Sequence, residues 1–440
     1  MNYEIIKREQ IPTTLRWGYV PLYKTDKRGL KRYWQVFFNP DIQELIIYTG
    51  VVIKSDGTPG KIKNPTRKKI KENRSGRNIQ EQALLEARKK YDIYYDKNYR
   101  PEGEEGSKYL EPMLANDYHP PGWRNPNSGI VEESKITRSH LERGISCQPK
   151  IDGIRSRSWL DSSGHNIIMM SRTNKRQERH EHIKAQLIIF FKYLYDAINK
   201  SPYMNKIINE GYIESKYNTF GIDGELYNHN LTFNEISSIV RTTNKVHEKA
   251  YMIQYYIFDF IVEYVHTEER VRILNEAYNN YTNENNFPVQ YLILVTSTTA
   301  NTYEYIEQLY QYYLQMKYEG LIIRKMAGNK ILNNDEIKET YYEPGRSNNL
   351  LKYKPVITEE GIVLDIISGE GKEEGLAILI IKDIRGNIFQ IHPAGSYEVR
   401  KKWLNNKYNY IGLPYTFKYN ELSEYNVPRA PTGIAFRNYE

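Results

Sequence analysis

The 440-residue sequence predicts an α+β protein built in three regions, and three observations carry that reading. Two β-rich segments flank Asn39-Pro40-Asp41 near the start. Apolar residues then recur at strand and helix spacing by turns through the middle. Beyond residue 360 only short strands remain. With 40% hydrophobic content, a chain of this length can bury more than one core.

The segment from Tyr33 to Ile53 reads as a hairpin, and a helix is expected over about 78–95, where Ile79, Ala83, Leu84, Ala87 and Tyr91 recur at helical spacing. Between them lies a cationic run that includes Lys61, Lys63, Arg67, Lys68, Lys69, Lys71, Arg74 and Arg77. Residues 54–100 hold 14 Lys or Arg against 6 Asp or Glu, and this net of +8 equals the formal charge of the whole chain. Such a run is either a solvated loop or a surface for polyanions. An acidic linker at 101–107 and the phrase Glu111-Pro112-Met113-Leu114-Ala115 follow, so the first domain is set at 1–117.

The second domain, 118–355, should contain strands near 155–160, 167–171, 221–227, 252–260, 292–296 and 321–324. Helices are expected near 178–199 and 303–318; Ile183, Leu187, Phe191, Leu194 and Ile198 give the first of them one apolar stripe. The third domain, 356–440, has strands near 361–367, 377–382, 388–391 and 415–419, which fit a small β-barrel of the OB type.

Cys147 is the only cysteine, which excludes a disulfide framework and a cysteine-based zinc site and suggests an intracellular setting. No stretch is apolar enough for a secretion signal or a membrane span, so a secreted or membrane protein is not expected.

Chemistry-bearing residues gather in seven places. Cys147-Gln148-Pro149-Lys150-Ile151-Asp152-Gly153-Ile154-Arg155 presents an amine beside an Asp-Gly turn. A lysine attacks phosphorus only when neutral, which at pH 7 needs about 4 to 5 kcal/mol of help from its surroundings. Farther on come Ser171-Arg172-Thr173, then Asp223-Gly224-Glu225 and Phe258-Asp259. After them stand Glu319-Gly320 and the stretch Tyr342-Glu343-Pro344-Gly345-Arg346-Ser347, which leads into Lys352-Tyr353-Lys354. Strand alternation puts Lys352 and Lys354 on one face. Arg429 and Arg437 close the chain. A nucleophile, carboxylates for a metal, cations for phosphates and an aromatic slot for a base are all present.

In kind and in order, these stretches resemble the motifs of the ATP-dependent DNA ligases, members of the covalent nucleotidyltransferases, over about residues 110–440. The resemblance implies an adenylation domain of antiparallel sheets and helices followed by an OB-fold barrel, behind a small basic α+β domain. It implies nick sealing in three steps: lysyl-AMP formation at Lys150 from ATP, AMP transfer to a 5′-phosphate, and attack by the 3′-hydroxyl, in DNA replication and repair. Asp152 and Arg155 would join Lys150 in catalysis. Gln148, Arg172, Glu225, Phe258, Arg346, Lys352, Lys354, Arg429 and Arg437 would bind the nucleotide, Phe258 by stacking on adenine. Asp152, Glu225 and Glu319 would hold Mg²⁺ or Mn²⁺. Asp223 and Gly224 would shape the turn before Glu225.

The basic front module is similar to that of the ligases of large cytoplasmic DNA viruses of the African swine fever type, which implies a cytoplasmic setting. The implied partner is nicked duplex DNA, encircled by a monomer. Two features depart from the family pattern. The closing R-x-D-K is absent, and Ser368 to Gly375 is too short for the hairpin with which minimal viral ligases surround DNA, so residues 1–110 are expected to complete the clamp. The alternatives are an mRNA-capping guanylyltransferase using GTP and a non-catalytic nucleic-acid-binding protein on the same scaffold.

Overall fold

Bulky residues alternate along the first hairpin, and that alternation decides which face of its sheet is buried. The strands are β1 (Glu4–Ile6), β2 (Trp17–Tyr19), β3 (Leu22–Thr25), β4 (Lys31–Asn39), β5 (Glu44–Ile53) and β6 (Thr66–Lys69). Strands β4 and β5 form the expected hairpin, with Asn39 opposite Glu44. The sheet runs β1-β2-β4-β5-β6, with β3 also on β4. Trp34, Val36 and Phe38 share one face of β4 and pack with Trp17, Tyr19 and the helix α1 (Ile79–Asp96) through Ala83, Ala87 and Tyr91. Asn78 caps that helix: its side chain accepts the Glu81 N–H at 2.9 Å, and Glu81 accepts the Asn78 N–H at 3.0 Å.

This computed structural model describes residues 3–26, 28–71, 76–104, 110–125, 129–214, 216, 218–242, 246–328 and 332–437. Arg74 of the basic run and residues 105–107 of the expected linker lie outside them. Close contacts group the chain into two units. One comprises Met1–Lys108, Thr358–Lys418 and Glu424–Glu440; the other comprises Tyr109–Ile357 and Tyr419–Ser423.

The second unit continues with β7 (Met113–Asp117), α2 (Arg138–Arg143), β8 (Ile145–Lys150), β9 (Ile154–Leu160), β10 (Ile167–Ser171), α3 (Glu181–Lys200) and α4 (Pro202–Asn209). Then come β11 (Gly221–Tyr227), α5 (Phe233–Arg241), β12 (Gln254–Ile261), α6 (Thr267–Glu284), β13 (Leu292–Leu294) and β14 (Thr298–Ala300). It ends with α7 (Tyr303–Gln315), β15 (Gly320–Lys325), α8 (Asn334–Lys338) and β16 (Gly345–Tyr353). Two five-stranded sheets result, β14-β8-β15-β16-β7 and β10-β9-β11-β12-β13. Most pairs are antiparallel, while β7 joins β16 in parallel with Ala115 opposite Ser347. That pairing places residues 113–117 in this unit, ahead of the boundary expected near Tyr118.

The stripe on α3, Ile183 to Ile198, is buried against the second sheet and α6. Helix α6 was not expected, because Glu, Asn and Arg dominate its sequence and the apolar part of its buried face is Ile273, Leu274, Ala277 and Tyr281, beside buried Thr267 and Arg270.

The chain ends with β17 (Ile357–Ser368), β18 (Ala377–Lys382), β19 (Ile388–Ile391), α9 (Tyr397–Asn405), β20 (Pro414–Tyr419) and β21 (Thr432–Phe436). Their order β19-β18-β17-β20-β21 makes the expected OB-like sheet, around buried Val363, Ile366, Leu379, Ile381 and Phe417. A single 3₁₀ turn, Gly371–Glu373, lies in the connection between β17 and β18, and β6 of the same unit approaches it. No helix among the described residues is long and apolar enough to cross a membrane.

Candidate active site

Strand parity builds the site. On β8, Ile145 and Cys147 enter a core with Leu321 and Ile323 of β15 and Leu351 of β16. The residues of opposite parity, Gln148 and Lys150, Ile322 and Arg324, Leu350 and Lys352, then share the other face and line one cavity. Leu114, Ala115, Pro149, Ile151, Arg155, Arg172, Glu225, Phe258 and Arg346 complete its walls. Eight of the residues expected from the sequence therefore meet around one space: Gln148, Lys150, Arg155, Arg172, Glu225, Phe258, Arg346 and Lys352.

Backbone pairing brings the first carboxylate to the amine. The Glu319 N–H donates to the Lys150 carbonyl at 2.9 Å, and Gly320 lies directly opposite Lys150. Only glycine fits there: φ is +147°, and a Cβ would stand 2.1 Å from the Tyr353 carbonyl oxygen. Glu319 then bridges two cations, Lys150 Nζ on Oε2 and Lys354 Nζ on Oε1. Lys352 Nζ reaches Asp117 Oδ1 at 3.1 Å. Arg346 donates to the Ala115 carbonyl at 2.6 Å.

Burial pushes the Lys150 amine below its ordinary 10.5, against the opposing pull of Glu225 and Asp152. Glu225 shifts the other way. Burial lifts its carboxyl from 4.5 to about 8, although Lys150 and Arg155 both favour the charged form. The two shifts have one cause, the cost of charge away from water.

The aromatic slot has two arginines over it. Arg155 lies 5.4 Å and Arg324 5.9 Å from the Phe258 ring centre. Arg324 donates to Asp259 at 3.0 Å and to the Gln148 amide oxygen, while the Gln148 amide nitrogen donates to the carbonyls of Phe258 and Val295 at 3.2 and 3.1 Å. Asp259 also receives Arg270 at 2.8 Å, and the pull of Arg270 and Arg324 outweighs burial to hold its carboxyl below the usual range. Arg155 is fixed by Asp223, with its Nε 2.9 Å from Oδ1. Asp223 and Gly224 do not form the turn expected of them; both lie inside β11, in unbroken register with β9, the bulge opposite them falls at Phe258 of β12, and Asp223, paired with Arg155, is fully buried.

Asp152, Glu319 and Glu421 each place one carboxylate oxygen within 4.8 Å of the others, a hard-oxygen donor set suited to Mg²⁺. Glu225 stands outside that group among the described residues, and Glu421 was not foreseen. Arg429 and Arg437 belong to the other unit, where Arg437 donates to Glu360 at 3.0 Å and Thr416 at 2.9 Å. Arg324 and Asp259 also lacked assigned roles. Their signal was available in the alternation Ile322, Arg324 on the pocket face and in the position of Asp259 directly after Phe258.

The family model described as ATP dependent DNA ligase domain matches residues 130–354, just over half of the chain. The chain belongs to the ATP-dependent DNA ligase family. ATP is thus the nucleotide of this ligase and DNA its polymer, and the capping-enzyme alternative falls away. No curated protein sequence matches the chain.

Among solved structures, one of a Lig E DNA ligase shares 19% identity, covers 74% of this chain and 99% of that one, and superposes with a TM-score of 0.51. The structure Pmar-Lig_Pre shares 15%, with 82% and 72% covered and a TM-score of 0.53. A Chlorella virus DNA ligase-adenylate shares 22%, with 75% and 99% covered and a TM-score of 0.36. At such identities the likeness to the first two concerns the fold alone.

Proposed function

We propose that this ligase seals nicks in duplex DNA with Lys150 as its nucleophile. The observation that carries the reading is Glu319 shared between Lys354 and Lys150, where Lys150 lines a cavity together with Phe258, Arg155, Arg172 and Lys352. Glu319, hydrogen-bonded to the Lys150 amine, is the base placed to take the proton that burial already loosens. The freed amine attacks the α-phosphorus of ATP, the bond to pyrophosphate breaks, and lysyl-AMP remains. AMP then passes to the 5′-phosphate at a nick, and the 3′-hydroxyl displaces it.

Arg172, Arg346, Lys352 and Lys354 draw off phosphate charge as it builds. Phe258 stacks on adenine, and Arg155 orients the ribose and the nick. Glu225, largely protonated at neutral pH, is suited to a ribose hydroxyl rather than to a cation. Asp152, Glu319 and Glu421 would hold Mg²⁺ or Mn²⁺, which when bound neutralises the triphosphate. Arg429 and Arg437 act from the OB-like domain on the departing pyrophosphate.

The functional division remains threefold: a basic DNA-gripping module, an adenylation domain and the OB-like domain. The basic module and the OB-like sheet belong to one unit and β6 approaches the Gly371–Glu373 turn, which supports a monomer that closes around duplex DNA through residues 1–110. The narrower kinship with ligases of African swine fever type, and the cytoplasmic setting it implies, rest on that basic module and the lone Cys147.

Incubation with α-labelled ATP or GTP, followed by a nicked duplex, tests the reading. Label from ATP becomes covalently attached and is chased by the nick with sealing; attachment from GTP alone would overturn it.

A further inference from the structure

Arg155 faces the nucleotide cavity, yet nothing in its own strand fixes where its guanidinium points. Asp223 does so from β11, where it lies opposite Arg157 of β9 and Asp259 of β12, and a hydrogen bond from Tyr342 holds its carboxylate. Its two oxygens receive Arg155 Nε at 2.9 Å on Oδ1, and Arg155 Nη2 together with the Tyr342 hydroxyl on Oδ2, the latter at 2.6 Å. Tyr342 is itself held from three sides. Its oxygen accepts the Met113 N–H of β7 at 3.0 Å, and its ring packs with Met113, Ile261 and Leu350. On the third side the Arg270 guanidinium lies 5.9 Å from the ring centre. Tyr342 is 2% exposed and Asp223 0%, so no water competes for these bonds.

We propose that Tyr342 is a positioning residue for nucleotide binding, acting through Asp223 to fix the Arg155 guanidinium over the Phe258 slot. The phenol anchors the Asp223 carboxylate to the backbone of β7, and the carboxylate in turn anchors Arg155. Without the hydroxyl, Asp223 and Arg155 turn together as a pair, and the cation no longer meets the bound nucleotide in one orientation. The inference rests on the reading of Lys150 as the adenylylated residue and adds to it a tyrosine that never touches the substrate.

Tyr342→Phe in the full chain keeps the ring and its packing and removes only the hydroxyl. The rate of lysyl-AMP formation is measured against ATP concentration. The KM for ATP should rise about tenfold, the size expected for one charge-assisted hydrogen bond, while the rate at saturating ATP stays within about threefold. In an Arg155→Ala background the same substitution should add nothing, because the residue it acts through is gone. An unchanged KM, or an equal increment in both backgrounds, overturns the proposal. Lys150→Ala separates this from the parent reading. If that variant still forms the adduct, the site assignment itself fails; if it does not while Tyr342→Phe behaves as wild type, only the positioning role fails.

Discussion

Glu225 is a carboxyl kept where a carboxylate is costly. With its pKa lifted from 4.5 to about 8, the folded chain retains a proton that the unfolded chain releases. Stability therefore falls as pH climbs from about 4.5 to about 8 and levels off beyond. Glu225→Gln is neutral throughout, so its melting temperature should gain on the wild type across that interval, by several degrees above pH ~8 and not at all below pH ~4. Thermal melts over pH check this; a gain that does not vary with pH contradicts it. At this scale the sequence was informative where the chemistry is local. Lys150, Asp152 and Arg155 lie within six consecutive positions, and Lys352 and Lys354 alternate on one strand. Asp223, Tyr342 and Glu421 meet partners far away in sequence, such as Arg155 for Asp223, Met113 for Tyr342 and Asp152 for Glu421, and no spacing announces such pairs.

Strand β15 shows how an element sets the chemistry. It lies between β8, which ends in the proposed nucleophile Lys150, and β16, which carries Lys352, and Gly320 approaches the Tyr353 backbone closely. Gly320→Ala should destabilise the catalytic unit by about 3 kcal/mol, combining an unfavourable φ with a backbone clash, and should slow lysyl-AMP formation. Denaturant unfolding with the labelling rate checks it; wild-type stability would mean that the approach is looser than described. Strands and helices with strong periodicity were legible: β10, β11, β18 and β19 match their expected spans residue for residue, and α3 keeps its stripe. Two kinds of element were not. Helix α6 is mostly polar, with four apolar side chains in its buried stripe, and β7 pairs in parallel with β16 more than two hundred residues later, so its short segment read as a linker phrase.

For the whole molecule, charge and connectivity divide the work. The basic residues of the first module are concentrated where Lys61, Lys63, Arg67 and Lys69 are exposed, while the cavity lined by Lys150 lies in the other unit. Replacing those four with Gln should leave lysyl-AMP formation without DNA unchanged and weaken nick binding. The slope of log affinity against log salt should become shallower by about 0.9 for each phosphate that the variant no longer neutralises. An unchanged slope would show that this surface does not grip DNA. The domain order was readable because each region has its own periodicity. The grouping of the first and last regions into one unit was not, since contacts such as that of β6 with the Gly371–Glu373 turn join segments some three hundred residues apart in sequence.

The proposed mechanism turns on a phosphoramidate at one amine, which peptide mapping of the ATP-treated enzyme by mass spectrometry locates. The adenylyl group should map to Lys150 and disappear in Lys150→Ala; an adduct on Lys352, Lys354 or any other residue, or one that survives the substitution, would contradict it.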